Sequence, residues 1–451
     1  MQASGDNRSI ITNVLTPQFE YQLQFLDHEI GSYCTLESSS ANGSCTAMYS
    51  SQDGHDLKCK LRQLESVMLE DTDSGEDAGN GVVELPEIGI WKEIMGFGKG
   101  GLREVLVACA KAVSDNDLCS VELLVSELRQ LVSVAGDPIQ RLGAYMLEGL
   151  VARLSYSGST IYKSEYLVDT NVFYEICPYF KFGYMSANGA IAEAMKCEKR
   201  VHIVDLRIGQ GSQWAPLIQA FARRPGGPPH IRITGFHDSP SGLRVVSKRL
   251  CKLAKAYNVP FEFNVEVGLE HFRAQPGESL AVNFAYVLHQ MPDESVSTRN
   301  DRDRILRLVK SMKPKVVTLV EQESNTNTSP FYPRFLEALD YYNAMFESID
   351  ITLPREHKQR ISVEQHCLAR DVVNIIACEG DERVERHELL RKWKLRFSMA
   401  GFSPSPMSPV VNETIKRLLK NYSEKYTLKE RDGALYLGWM NRDLVASCAW
   451  R

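Results

Sequence analysis

The sequence lacks long apolar runs and paired cysteines. Across 451 residues no window approaches 18 consecutive apolar residues, so no membrane-spanning helix is expected. Residues 1–25 lack the basic stretch and the apolar core of a secretory signal. The 11 cysteines are scattered and never spaced C-x-x-C, which argues against a disulfide framework and against a cysteine zinc site. We therefore expect a soluble protein that is not secreted.

Catalytic and metal-binding motifs are also scarce. The sequence contains no G-x-x-x-x-G-K-[ST], no H-E-x-x-H and no G-x-S-x-G. Its ten histidines are dispersed. His202 falls within an expected strand and His289 at the end of another, where a hydrogen-bonded structural histidine is commoner than a ligand or a base. His366 and Cys367 are adjacent but have no partner at metal-ligand spacing. We expect no catalytic residue and no metal.

Charge divides the chain into two parts. The net charge is -5, but residues 1–95 contain 5 basic and 16 acidic residues, which leaves +6 for the remainder. Residues 65–87 contain eight acidic residues and no Lys or Arg. Such a composition buries too little apolar surface to offset the entropy of ordering. We predict a mostly disordered acidic extension over 1–88, with a short helix at 57–68, and one domain over 89–451.

The first part of that domain, residues 95–200, has the apolar periodicity of amphipathic helices. Asp137 and Pro138 mark the start of one of them. Two interpretations remain open: a helical subdomain that packs on itself, or an exposed groove or helix pair that also binds a partner. The candidate partner-binding residues are the leucines of two apolar faces: Leu102, Leu106, Leu124, Leu128 and Leu131.

After residue 200 short apolar runs alternate with helical segments. The expected strands are 201–206, 231–236, 261–265, 280–288, 315–320 and 372–378. Strands separated by helices predict a parallel, doubly wound sheet. Residues 434–440 and 444–450 predict an antiparallel hairpin. The fold class is therefore α/β, with a Rossmann-like (methyltransferase-like) mostly parallel sheet, a C-terminal antiparallel hairpin and an N-terminal α-helical cap.

The most chemically suggestive segment is VHIVDLRIGQGSQW, residues 201–214. An apolar strand that ends in Asp205, followed by Gly209, Gly211 and a helix, is how such sheets present backbone N–H groups to a nucleotide or a methyl donor. Asp238, just past the second strand, is placed to meet a ribose hydroxyl. The methyltransferase pattern, however, requires a glycine where Arg207 stands, and a large charged side chain there should block the cofactor. We expect a vestigial pocket without cofactor, and keep methyl-donor binding as the alternative.

Direct DNA binding has weaker support. The densest basic cluster is diluted by Glu385 and Glu388, and its spacing spreads it around a helix. A solvated helix is therefore favoured over a phosphate-binding stripe. Trp439 and Trp450 are expected in the hairpin and the core. The cluster consists of Arg386, Arg391, Lys392, Lys394 and Arg396.

Several sequence boxes occur in an order that resembles one family. VHIVD stands for a VHIID box: Val201, His202, Ile203, Val204 and Asp205. A spread PFYRE box runs from Pro330 through Tyr341 and Tyr342 to Arg370 and Glu379. Three spaced pairs follow: Arg383 with Glu388, Trp393 with Gly401, and Trp439 with Trp450. Together these boxes resemble the plant GRAS family of scarecrow-like regulators.

Within that family, GDPIQRLGAYMLEGLVARL and VEQHCLARDVVNIIACEG most resemble the phytochrome A signal transduction branch. Segments 162–172 and 236–276 are shorter than the pattern of that branch. The resemblance implies a first leucine-rich region and cap over 95–200, a VHIID region over 201–236, a second leucine-rich region over 237–279, a PFYRE region over 280–380 and a SAW region over 381–451.

The resemblance also implies a function. Family members are transcription regulators without catalytic activity that act mainly through contacts with DNA-binding transcription factors, including zinc-finger factors, and with other GRAS proteins as homodimers or heterodimers. They contact DNA directly or through the partner. They are found in the nucleus and also in the cytoplasm. They act in light or hormone signalling and in development. The acidic extension is either an activation or regulatory segment or a solubilising tail. The alternative function is an S-adenosylmethionine-dependent, methyltransferase-like enzyme.

Overall fold

The computed structural model describes residues 101–163, 177–236, 240–265, 269 and 272–451. The predicted acidic extension, the predicted helix at 57–68 and Asp238 lie outside these residues. Within them, no helix combines the length and the apolar character needed to span a bilayer.

One mixed sheet forms the centre of the described chain. Its strands are β1 (Arg200–Asp205), β2 (His230–Gly235), β3 (Phe261–Val265), β4 (Ser279–Ala285), β5 (Val316–Gln322), β6 (Pro404–Ser405), β7 (Tyr426–Arg431), β8 (Ala434–Trp439) and β9 (Arg442–Trp450). The order is β3-β2-β1-β4-β5-β9-β8-β7, and β6 pairs with β9. Strands β1 to β5 are parallel, whereas β9 is antiparallel to both β5 and β8. The predicted parallel sheet with a C-terminal antiparallel hairpin is confirmed.

The inner strands are largely apolar and almost wholly buried because both faces of the sheet are covered. All residues of β1 after Arg200 and all of β4 after Ser279 are buried. Strand β1 lies between β2 and β4, so the strand order reverses at the junction of β1 and β4. In open α/β sheets the crevice beyond the carboxyl ends of the strands at such a junction is the usual ligand site.

Thirteen α-helices are described. They are α1 (Leu102–Asp115), α2 (Leu118–Leu131), α3 (Pro138–Leu154), α4 (Gly158–Lys163), α5 (Pro178–Ala194), α6 (Trp214–Ala222), α7 (Pro240–Ala256), α8 (Asp301–Ser311), α9 (Phe331–Thr352), α10 (Lys358–Val363), α11 (Ala369–Ala377), α12 (Leu390–Met399) and α13 (Pro409–Leu419). A π-helical turn, Glu364–Leu368, joins α10 to α11. Helix α3 begins at the predicted Pro138, where Asp137 and Gln140 form a capping box.

The sequence prediction is wrong at residues 372–378, which form most of helix α11 instead of a strand. Their Val and Ile content favours a strand, but Ala369, Val372, Val373 and Ile376 recur at helical spacing and are all buried. That face packs on α3. Tertiary packing therefore outweighed the β-branched composition. Strand β7 is a further addition, because the predicted hairpin is the second half of a three-stranded antiparallel unit.

The helical layer draws on two distant parts of the chain. Helix α3 packs against α1, α9 and α11, so the leucine-rich helices are completed by helices that follow β5. The contact is close at Gly149, where an added Cβ would lie 3.1 Å from the Ile376 side chain. The first leucine-rich helices therefore share a core with the second half of the chain.

A buried ion-pair network joins these two parts. The Arg141 side chain on α3 is fully buried and donates from Nε and Nη2 to the Glu364 carboxylate, both at 3.0 Å. Its Nη1 donates to Asp350 at the end of α9, at 2.8 Å. Arg360 also pairs with Glu364. A buried pair of this kind contributes specificity, and losing one member leaves an uncompensated charge.

We predict that Arg141→Met destabilises the fold by about 3–5 kcal/mol, because it leaves Glu364 with a single buried cation. Urea unfolding followed by circular dichroism measures the change. The double variant Arg141→Met with Glu364→Gln should not recover the loss, since it leaves the buried Arg360 without its carboxylate partner. A loss below about 1 kcal/mol in the single variant would contradict a joining role for this network.

Candidate functional site

The Asp205 carboxylate lies at the carboxyl end of β1 and is bound on three sides by the chain. Asp205 is 1% exposed. Its oxygens accept hydrogen bonds from the Trp214 indole N–H at 2.7 Å, the Asn283 amide at 3.2 Å and the Arg207 backbone N–H at 3.2 Å. Burial raises the pKa of Asp205 to about 6, and these hydrogen bonds oppose the rise. The carboxylate thus faces the interior.

Asn283 on β4 extends this contact into a buried polar network. Its Oδ1 accepts from the Thr318 hydroxyl on β5 at 2.8 Å, and its Nδ2 also donates to Gln213 Oε1 at 3.0 Å. Asn188 on α5 donates to the Gln213 backbone carbonyl at 2.6 Å. The network therefore joins three strands, α5 and the turn before α6. Polar networks that are satisfied in this way specify one arrangement of the core.

Arg207 spans the crevice at the junction of β1 and β4. Its Nη1 donates to the Tyr286 backbone carbonyl at 3.1 Å and to Gln290 Oε1 at 2.6 Å, both in the segment after β4. The Tyr286 ring meets the rings of Phe180 and Tyr184 on α5 edge-on, at centroid distances of 4.9 Å and 6.3 Å. The exposed Arg207 side chain therefore bridges the loop after β1 and the segment after β4 at the mouth of the expected pocket.

The glycines of this loop have explanations in the fold. Gly211 has φ +73°, and an added Cβ would lie 2.8 Å from Val246 Cγ1 on α7. Gly211 thus allows α7 to pack on the loop. Gly209 has φ +50° and faces open space. Both backbones adopt the left-handed conformation that glycine accepts at little cost.

These residues do not fit S-adenosylmethionine. Asp205 ends β1, and Gly209 and Gly211 lie in the loop that follows, whereas Asp238 lies outside the described residues. A methyl donor in the crevice would have to displace the Arg207 side chain, and any use of Asp205 would break its hydrogen bonds in a buried setting. Stripping a buried carboxylate of its partners costs several kcal/mol, roughly 1–3 for each hydrogen bond to a charged group.

The rest of the VHIVD box is structural. His202 is 1% exposed, with Nδ1 2.9 Å from Glu278 Oε2 and Nε2 2.8 Å from the Thr234 hydroxyl on β2. Burial lowers the pKa of His202, and Glu278 opposes the shift. This agrees with the expected hydrogen-bonded strand histidine. The apolar members of the box are all at most 1% exposed: Val201, Ile203 and Val204.

A second polar cluster at the same edge of the sheet was missed by sequence reasoning. The rings of His289 and His387 stack at a centroid distance of 4.4 Å. Burial lowers the pKa of His289, but Glu321 and Glu385 outweigh it and raise that pKa to about 10. Burial lowers the pKa of His387 to about 3. One signal was available: His289 and Glu321 directly follow the predicted strands 280–288 and 315–320, and the carboxyl ends of parallel strands share an edge.

The charged pair of the SAW region binds other partners instead of each other. Arg383 donates to the Thr326 carbonyl after β5 at 2.6 Å. Glu388 is 1% exposed and pairs with Arg302 on α8 at 3.1 Å and with Arg396 on α12 at 2.9 Å. These two motif residues therefore tie the SAW segment to the loop after β5 and to α8.

The remaining SAW residues lie in the core or end a helix. Trp393, Trp439 and Trp450 are each at most 1% exposed, and Trp450 stacks on Phe397 at a centroid distance of 5.0 Å. Gly401 follows α12 with φ +90°, which favours glycine at a helix end. The expectation that the two terminal tryptophans are hairpin and core residues is confirmed.

The predicted basic helix is wrong for two of its five members. Arg386 precedes α12, is 2% exposed and donates to Asn327 Oδ1 at 3.2 Å. Arg396 is 7% exposed and donates to Glu294 Oε2 at 3.0 Å as well as to Glu388. Sequence spacing could not show which positions the preceding loops cover. With these two buried, the surface keeps Arg391, Lys392 and Lys394.

The candidate partner-binding leucines divide between core and surface. Leu106, Leu124 and Leu128 are at most 5% exposed and pack within the chain, whereas Leu102 and Leu131 are half-buried. Two other leucines of α2, Leu118 and Leu123, are 67% and 48% exposed. A partner that docks on α2 would therefore meet these two first.

We predict that Trp214→Phe destabilises the protein more at about pH 8 than at about pH 5. Because its pKa is raised, Asp205 stabilises the fold in its protonated form, and this contribution is lost as pH rises through about 6. The variant removes the hydrogen bond from the indole N–H to the ionised Asp205 carboxylate. Such a hydrogen bond contributes about 1.5–3 kcal/mol to stability. Urea unfolding at both pH values measures the difference.

Trp393→Phe is the matched control, because Trp393 is equally buried and its Nε1 has no hydrogen-bond partner among the described residues. Its loss of packing should cost a similar free energy at both pH values. Equal pH dependence in the two variants would show that the Trp214 contact with Asp205 is not the source.

The chain matches the GRAS domain family over residues 102–451. Scarecrow-like transcription factor PAT1 of Arabidopsis thaliana is 60% identical, over 93% of this chain and 93% of that protein. Scarecrow-like protein 21 of Arabidopsis thaliana is 66% identical, over 78% and 89%. Chitin-inducible gibberellin-responsive protein 2 of Oryza sativa subsp. japonica is 55% identical, over 88% and 78%.

A solved structure agrees with these matches. The crystal structure of SCL7 in Oryza sativa aligns with a TM-score of 0.68 and 34% identity, over 78% of this chain and 100% of that chain. The family expected from the VHIVD, PFYRE and SAW boxes is confirmed by sequence and by fold. The chain belongs to the GRAS domain family.

Proposed function

We propose that this protein is a transcription regulator that works by binding other proteins and carries out no methyl transfer. The observation that carries the proposal is the closed edge at β1 and β4, where Asp205 and Arg207 bind the chain itself. The relative named Scarecrow-like transcription factor PAT1, which matches 93% of both chains, supports the regulatory part. In this proposal the sheet is a rigid platform for the surfaces around it.

Methyl transfer is the rival function, since the parallel sheet and Gly209 and Gly211 follow the layout of a methyl-donor site. Because fold does not determine function, the residues of the site must distinguish methyl transfer from a regulatory platform. There the acid is buried and fully hydrogen-bonded, and Arg207 spans the mouth. Both features favour a platform over an enzyme.

The first leucine-rich helices offer the surface for partners. Besides the exposed Leu118 and Leu123 on α2, a groove of about 320 Å³ lies where α1 meets the start of α9. The groove combines aliphatic and aromatic side chains with charged ones, a mixture suited to an amphipathic helix. The groove is lined by Arg103, Glu104, Val107, Ala108, Lys111 and Tyr332.

The proposed partners are DNA-binding transcription factors of the zinc-finger type and other GRAS proteins, in homodimers or heterodimers. Burial of Arg386 and Arg396 supports contact through proteins over a phosphate-binding stripe on α12. Leu102, Leu106 and Leu128 would then shape the helices, and the exposed leucines would touch the partner. DNA contact is proposed to come mainly through the partner.

The cellular setting follows from the relatives. We propose a nuclear protein, present also in the cytoplasm, that acts in light or hormone signalling and development; one relative is named for its response to chitin and gibberellin. Residues 89–451 are proposed to act as one domain, with the acidic segment 1–88 as its regulatory extension.

We predict that Leu118→Glu with Leu123→Glu weakens capture of a zinc-finger transcription factor by the full chain at least tenfold, about 1.4 kcal/mol or more. Both leucines are exposed, so the fold should persist. The matched control is Leu395→Glu with Met399→Glu, which charges two side chains on α12 that are 64% and 72% exposed. Affinity capture with purified proteins measures the effect.

Unchanged binding by the α2 variant, or an equal loss in the α12 control, would contradict this surface. A reporter assay tests the regulatory role itself. The full chain, fused to a heterologous DNA-binding domain, should change transcription from a reporter that carries the matching site. No change in either direction would contradict the proposed function even if partner capture were found.

A further inference from the structure

We propose that His289, Glu385 and His387 form a binding site for one Zn²⁺ ion. His289 follows β4, while the other two precede α12, and one donor atom from each residue lies within 4.8 Å of the others. Two histidines and one glutamate are a donor set used by zinc sites that keep a fourth position for water. This zinc site would hold the edge of the sheet together, and it is independent of the proposed regulatory function.

The spacing of the donor atoms suits zinc. Bonds of about 2.0–2.2 Å in a tetrahedron place neighbouring donors roughly 3.3 Å apart. Glu385 Oε2 lies 3.2 Å from His289 Nε2 and 3.5 Å from His387 Nε2. The carboxylate oxygen is therefore already at ligand spacing from both imidazoles. Binding requires the two ring nitrogens to close around the ion.

The groups behind these ligands orient them. His289 Nδ1 lies 2.7 Å from Glu321 Oε2, which leaves Nε2 directed at Glu385. Glu321 Oε1 accepts three backbone N–H groups of the segment after β4. Glu385 Oε1 accepts the Tyr162 hydroxyl at 2.7 Å and the Gln290 amide at 2.9 Å, which leaves Oε2 for the metal. Metal-binding histidines characteristically donate their other N–H to a carboxylate in this way.

His387 lacks the hydrogen bonds that a buried imidazole needs. It is 1% exposed, and neither of its ring nitrogens has a hydrogen-bond partner among the described residues. Buried polar atoms are nearly always satisfied, because an unpaired one costs about 1–3 kcal/mol. A metal ion on Nε2 supplies a partner for one of these two nitrogens. The unpaired ring nitrogens of His387 are an observation independent of the donor spacing, and they too indicate a metal ion.

Two buried carboxylates beside the histidines give a third indication. Glu321 and Glu385 are 1% and 2% exposed, and each has an oxygen close to a ring nitrogen of His289, at 2.7 Å and 3.2 Å. Buried charges are stable when they are paired or coordinate a metal.

The test uses the purified full chain, stripped with a chelator and titrated with zinc chloride by calorimetry. Wild type should take up one ion at this site and unfold at a higher temperature with zinc. His387→Gln should lose that ion, and Glu321→Gln, which removes a supporting carboxylate, should weaken zinc binding about 10- to 100-fold. The control His230→Asn alters a surface histidine 3.1 Å from Glu262 and should change nothing.

Among the described residues, three exposed thiols offer unspecific zinc binding: Cys119, Cys197 and Cys251. That binding persists in His387→Gln, so the difference from wild type reports the proposed site. Circular dichroism and unfolding in chelator check the fold of each variant. No zinc uptake by wild type, or equal uptake by His387→Gln, overturns the proposal. If His387→Gln does not fold, an unchanged zinc affinity in Glu321→Gln overturns it.

Discussion

The buried carboxylate of Asp205 is the constraint on which this structure depends. A carboxylate inside a sheet must be fully hydrogen-bonded. Trp214 at the start of α6 and Asn283 on β4 supply those bonds, and both are buried themselves. The first crossover helix and the central strand pair are thereby fixed relative to each other. Because of these hydrogen bonds, the Asp205 carboxylate is not available to a ligand.

Polar side chains lie at the carboxyl edge of a parallel sheet. In this protein they form hydrogen bonds and ion pairs with other residues of the chain. Arg207 reaches from the loop after β1 to the segment after β4, and Glu321 near the end of β5 accepts hydrogen bonds from the backbone of that same segment. Glu388 brings in the SAW region through Arg302 on α8. An edge that serves as an active site in many α/β proteins thus joins the sheet to its C-terminal region.

Much of the architecture was predictable, because β1 to β5 are apolar runs separated by helical segments and the boxes occur in family order. Residues 372–378 were mistaken for a strand. A short run rich in Val and Ile is compatible with both helical and strand periodicity, and only its packing partner distinguishes the two. The burial of Arg386 and the meeting of His289 with His387 depend on contacts between distant segments. Local spacing carries no information about such contacts.

We propose that the side chains of this chain close the edge at β1 and β4, so that it accepts no methyl donor. Calorimetric titration of S-adenosylmethionine into the purified full chain measures this binding. We expect no saturable heat of binding up to millimolar ligand. Micromolar binding that Asp205→Ala removes would show instead that the carboxylate is available to a cofactor.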